Sequence, residues 1–173
     1  MLQSWCRRHI GAAVALTGVA GVLAASSAGC ENYDGVVVVP CPSPDNFAPV
    51  SRLVEKRCGT IDCHGGANRP MRIYGQRGRR LDPEDIPGGR ATTDEELRAN
   101  LESMCHLEPE RMIRFRAGEI GPRDLMLLRK PLLLEHHKGG PVLEEGNLGL
   151  VCLESWLQGE PNVSTCQTAA NQP

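Results

Sequence analysis

Cysteine takes the place of aromatic bulk in this chain, and that limits the folds open to it more than any other feature. Eight cysteines stand against two tryptophans, two tyrosines and two phenylalanines in 173 residues. The apolar residues of the C-terminal five-sixths are mostly scattered Leu and Val. A domain with so little large apolar surface has to be stapled by disulfides, or built around a group that brings its own apolar surface. Six cysteines lie beyond residue 30: Cys41, Cys58, Cys63, Cys105, Cys152 and Cys166.

Two of these six belong to the run Cys58-Gly59-Thr60-Ile61-Asp62-Cys63-His64. Two thiols followed at once by an imidazole suit haem attachment, in which each thiol adds to a vinyl group and the histidine reaches the iron. The usual signal is C-x-x-C-H; here four residues separate the cysteines. The competing readings are a Cys58–Cys63 disulfide closing a short Gly-containing loop, and a zinc site drawing on Cys58, Cys63, His64 and the distant Cys105-His106 pair. If haem takes Cys58 and Cys63, four thiols remain and allow three pairings. Cys41 and Cys166 both sit in polar, Pro-containing flanks, so the expected pairs are Cys41–Cys166 and Cys105–Cys152.

The N-terminus fits an exported protein. Arg7 and Arg8 precede an uncharged Ala/Gly/Val/Leu run from Ile10 to Leu23, and small residues follow up to Gly29-Cys30. This has the layout of a signal peptide. Ser27-Ala28-Gly29-Cys30 is similar to a lipobox, with serine where leucine is usual, so Cys30 is the expected lipid-bearing residue and the membrane the expected anchor. A signal peptide cut at the small residues and an uncleaved anchor are the other readings, the second weakened by the poor hydrophobicity of a Gly/Ala-rich run. Removing residues 1–29 takes two of the 19 basic residues and leaves 17 against 21 acidic ones. That balance gives no support to nucleic-acid binding.

The chain divides into a signal peptide over 1–29, a Pro-rich tether over 30–49 with room for one short strand at Val36–Val39, a helical domain over 50–160 and a loose polar tail over 161–173. Val50, Leu53, Val54 and Arg57 have helical spacing and lead the chain into Cys58. Residues 65–89 hold six glycines, three prolines and Arg69, Arg72, Arg77, Arg79 and Arg80, which predicts a long basic loop. Its arginines are either solvated, or pair with carboxylates of a ligand or partner. Thr92 with Glu95, or Thr93 with Glu96, forms a capping box ahead of Leu97, Leu101, Met104 and Cys105. Pro122 opens a further helix that Pro131 stops, and a last one spans about 147–157, with Leu148, Val151, Cys152, Ser155 and Trp156 on one side.

A helix ending in Cys…Cys-His, a loop-rich middle and a C-terminal helix carrying Trp156-Leu157-x-Gly159 resembles the small c-type cytochrome domain. Leu127-Leu128-Arg129-Lys130-Pro131 followed by His137-Lys138-Gly139-Gly140 is similar to the L-x-K…H-x-G-G segment of bacterial secreted and lipoprotein cytochromes. The resemblance covers about residues 47–159. It implies a mainly α, cytochrome c-like fold with long loops around one haem, Leu53 and Val54 packed near Val151 and Trp156, and haem c held by Cys58, Cys63, His64 and His137. His64 would be the proximal iron ligand. His137 ranks first on the opposite side, followed by Met126 and His136, with Met104 and Met112 as further thioether candidates.

The expected function is that of a lipid-anchored, single-haem electron-transfer protein at a periplasmic or cell-surface membrane, working with a redox partner protein. No Ser/His/Asp grouping, Gly-rich phosphate loop or H-E-x-x-H helix points to an enzyme. The alternative is a disulfide-stapled surface lipoprotein without cofactor, acting as an interaction or structural module.

Overall fold

The computed structural model describes residues 37–172, so the expected signal peptide and Cys30 lie outside the described residues. The protein is mainly helical: α1 (Phe47–Arg57), α2 (Asp94–Cys105), α3 (Pro109–Arg116), a 3₁₀ turn at Pro122–Asp124, α4 (Met126–Arg129), α5 (Leu148–Leu157) and α6 (Val163–Asn171). Among the described residues there is no strand, only a lone bridge between Tyr74 and Arg79. The strand expected near Val36–Val39 is therefore absent from the described part of that run; Val37–Cys41 has no regular structure. No described helix is long and apolar enough to cross a membrane.

Helix α1 is the hub, packing on α2, α5 and α6. It starts at Asn46, whose φ of 58° places it in the left-handed region that Asn tolerates better than most residues. Its buried face is Phe47, Val50, Leu53 and Val54, the i, i+3, i+4 stripe of a core-facing helix. Trp156 of α5, fully buried, lies with its ring centre 5.4 Å from that of Phe47. Burying side chains of this size contributes about 1.5–3 kcal/mol each. Val151 does not join them. It is 40 % exposed, because α5 turns Leu150, Leu153, Trp156 and Leu157 inward instead.

The tail expected to be loose is a helix. Asn162 caps α6 by accepting from the Thr165 N–H, and Cys166 and Ala169 are buried against α1 and α5. Two disulfides join Cys152 to Cys166 and Cys41 to Cys105, replacing the expected Cys41–Cys166 and Cys105–Cys152 pairs. The reason is local: α6 folds back on α5, so Cys166 meets Cys152 after a separation of only 14 residues. The other bridge spans 64 residues and staples part of the expected tether to the end of α2. Chain-entropy arguments give about 3 and 4 kcal/mol for loops of these lengths.

Helix α2 opens with the Thr93–Glu96 capping box, not the Thr92–Glu95 alternative. Glu96 does more than cap. It takes a two-point ion pair from Arg80, with Nε and Nη2 at 2.8 and 3.0 Å, and both side chains are almost fully buried. Arg80 also donates to the Arg90 and Ala91 carbonyls. Beside it, Asn100 holds the Tyr74 backbone by both its N–H and its C=O and donates to Ser51, which donates to Glu55. The basic loop over 65–89 is thus pinned to α1 and α2 by buried polar contacts. The helix expected from Pro122 is split at Leu125, whose extended backbone separates the 3₁₀ turn from α4.

Candidate functional site

Helix α1 delivers Cys58 as its C-terminal cap, where the Cys58 N–H bonds the Val54 carbonyl at 2.8 Å. The chain then coils tightly, with Cys63 N–H on Thr60 O at 2.9 Å and His64 N–H back on Cys58 O at 2.9 Å. Glycine permits this coil. A side-chain carbon on Gly65 would stand 2.5 Å from the Gly59 carbonyl oxygen, and one on Gly78 would stand 2.0 Å from that same atom. Four residues between the cysteines therefore fold into a loop that returns His64 to the end of α1.

Cys58 and Cys63 are both free thiols. Burial pushes the Cys58 thiol up to about 12, with the neighbouring Cys63 adding to the effect, so Cys58 is protonated near neutrality. Desolvation draws His64 below its ordinary value, and the nearby His137 and Arg69 act in the same direction against the Met71 carbonyl. His64 is thus neutral at pH 7, the form in which imidazole binds a metal.

The two histidines face a common space. His64 Nδ1 lies 3.0 Å from the Met71 carbonyl and His137 Nδ1 lies 2.9 Å from the Gly140 carbonyl. A carbonyl oxygen only accepts, so each Nδ1 is assigned the proton, and in the neutral ring Nε2 is the bare nitrogen. This is the arrangement that fixes a metal-binding histidine through its outer nitrogen. The rings are nearly parallel, 16° apart, with centres separated by 6.3 Å. Two imidazoles on opposite sides of one metal ion span a little over 6 Å, given bonds of about 2.0–2.1 Å and ring atoms about 1.1 Å from the ring centre. The centre-to-centre separation matches that span.

Both rings line a cavity of about 600 Å³, within the range of about 300–1,000 Å³ usual for cofactor and ligand sites. Cys58 and Cys63 line it too. Its apolar wall includes Leu53 and Val54 of α1, Leu127 of α4 and Leu153 of α5, while Arg57, Arg69, Lys130 and Lys138 supply four cations against the single acid Asp62. A flat apolar group carrying carboxylates and a metal suits that lining: apolar surface for its body, cations for its acids, two imidazoles for the metal and two thiols for side-chain attachment.

No family model, curated protein or solved structure matches this chain.

Cys58, Cys63, His64 and His137, singled out from sequence, thus share one cavity, and Met126 and His136 line it as well. Met104 and Met112 do not; they are buried in the core beside Leu125. A zinc site that drew on Cys105 is excluded by the Cys41–Cys105 bridge: His106 lies within 4.8 Å of those two sulfurs, but they are bonded to each other. Sequence reasoning missed the carbonyls of Met71 and Gly140 that orient the two rings, since backbone acceptors leave no trace in residue type. It also missed the cavity-facing cations Arg57, Lys130 and Lys138. All three lie in or beside motifs already read, Arg57 before Cys58, Lys130 within Leu127–Pro131 and Lys138 after His137, and that adjacency was the available signal.

Proposed function

We propose that this chain is a haem-binding, c-type cytochrome-like electron-transfer protein, exported and tethered to a membrane through Cys30. The single observation that carries the reading is the His64–His137 pair: two imidazoles with centres 6.3 Å apart across an apolar cavity, each held by a carbonyl at Nδ1. Cys58 and Cys63 would supply the thioether attachments, His64 and His137 the iron ligands, and Arg57, Arg69, Lys130 and Lys138 partners for the propionates. Haem iron supplies a one-electron couple whose potential depends on its axial ligands and burial. This chain's own residues orient the imidazoles, keep water from the cavity through Leu53, Val54 and Leu153, and present a basic rim to an acidic redox partner. The two disulfides fit an oxidising compartment. No catalytic role is assigned.

The second reading is a stapled surface module without cofactor, and the two long-range and short-range bridges that close the fold favour it. It requires a third disulfide between Cys58 and Cys63. The deciding experiment is intact mass together with an alkaline pyridine spectrum of the mature protein made in a host with c-type maturation machinery. A haem increment with a two-thioether spectrum supports the first reading. Protein without haem, and with Cys58 bonded to Cys63, overturns it in favour of the second.

A further inference from the structure

The loop over residues 131–142 carries His137 and is closed at its neck, where the Val142 and Leu143 N–H groups meet the Pro131 carbonyl at 3.0 and 3.2 Å. Pro131 and Leu143 are buried there. Beyond the neck Leu132 packs on the core, whereas Leu133 and Leu134 are 48 % and 63 % exposed and add little to hold the loop down. Leu133 also has a φ of 56°, a left-handed conformation that disfavours leucine, so the closed loop needs a restraint.

The Leu133 and Leu134 N–H groups bond the Lys130 and Arg129 carbonyls at 2.9 Å each, and one carboxylate extends that hold toward His137. Glu135 Oε2 accepts from Arg129 Nε and Nη2 at 3.0 and 2.8 Å, and Glu135 Oε1 lies 2.9 Å from Lys130 Nζ. Lys130 also donates to the His136 carbonyl at 3.2 Å. The Glu135 side chain and the His136 carbonyl, the two residues immediately before His137, are thus tied to the end of α4. Arg129 has other partners, Glu108 and the Asp124 carbonyl, so α4 stays anchored when Glu135 is lost. The segment leading to His137 then loses its carboxylate tie and keeps only its backbone bonds and the Lys130 contact to the His136 carbonyl.

We propose that Glu135 latches the His137 loop over the cavity, and that releasing it frees the place opposite His64 for a small nitrogen ligand; the second half of this rests on the haem reading above. Glu135 is a positioning residue that acts through its hold on the loop. The test is Glu135→Gln, with Glu145→Gln as a control that removes an exposed ion pair to Arg123 elsewhere. Two readouts are taken on the purified mature protein: amide hydrogen exchange across residues 132–140, and imidazole titration followed by the haem spectrum. Exchange in the Glu135→Gln loop about two- to fivefold faster, as loss of a surface ion-pair cluster implies, with a comparable gain in imidazole affinity and an unchanged control, supports the latch. Loop exchange equal to that of the parent overturns it, as does an unchanged imidazole affinity in the loaded protein. If the protein carries no haem, the functional reading fails on that observation, and exchange alone decides whether Glu135 holds the loop.

Discussion

Helix α1 has two polar neighbourhoods that obey opposite rules. Near its middle, Ser51 and Glu55 join Asn100, Thr92, Arg80 and Glu96 in a cluster where donors and acceptors answer one another. Glu96 receives Arg80 by two bonds and the Leu81 and Thr93 N–H groups besides. Although burial pushes the Glu96 carboxyl up, these bonds and the Arg80 charge hold it below its ordinary value. At its end, Cys58, His64 and His137 present polar atoms to a cavity of about 600 Å³. Closed polar networks fix a backbone; polar atoms turned toward a cavity, oriented from behind by carbonyls, are arranged for something that enters it.

The contrast yields predictions that run from large to small in stability. Arg80→Ala leaves Glu96 as a buried, unpaired carboxylate and should cost about 3–5 kcal/mol in urea unfolding; a loss below 1 kcal/mol would show that the cluster is not closed. Asn100→Ala strips the Tyr74 N–H and C=O of their partner at once and should cost about 2–3 kcal/mol by the same measurement. His64→Ala should be milder, about 1 kcal/mol in the protein without cofactor, because it removes a single hydrogen bond at a cavity wall. In the loaded protein that variant should abolish the haem spectrum, whereas His137→Ala should keep the haem and make it bind added imidazole. An unchanged spectrum in the second variant removes His137 from the site.

The smallest effect is a pH dependence. His64 has a folded-state value below the unfolded 6.5, so between the two the unfolded chain binds a proton that the folded one does not. Its contribution is present above pH 6.5 and is lost as the pH falls through the folded value. Comparing parent and His64→Ala without cofactor across that interval isolates it: the parent should lose more stability there than the variant, and parallel curves would show that His64 is not neutralised by its surroundings.

Periodicity and punctuation made much of the helical framework legible. The Val50, Leu53, Val54 stripe, the Thr93–Glu96 box and the apolar spacing over about 147–157 each appear as local sequence signals and each corresponds to an observed element. Helix α3 had a signal too, Pro109 at its first position with Arg114 and Arg116 in its last turn, but its apolar stripe is too sparse to announce it. Helix α6 was obscured by its polar composition. What makes it helical in this fold is the Asn162 cap together with burial of Cys166 and Ala169, and that burial depends on α1 and α5 being in place.

The sequence by itself determined a mainly α domain, a Cys58–Cys63–His64 group at the end of α1 and a second histidine in a glycine-bearing segment, because each is written in residues close together in the chain. Tertiary structure alone decided that Cys152 pairs with Cys166 and Cys41 with Cys105, that Arg80 of the basic loop is buried while Arg69 faces the cavity, and that His64 stands 6.3 Å from His137. These are distances between residues far apart in the chain. They are set by how α1, α4, α5 and α6 pack, which no local pattern encodes.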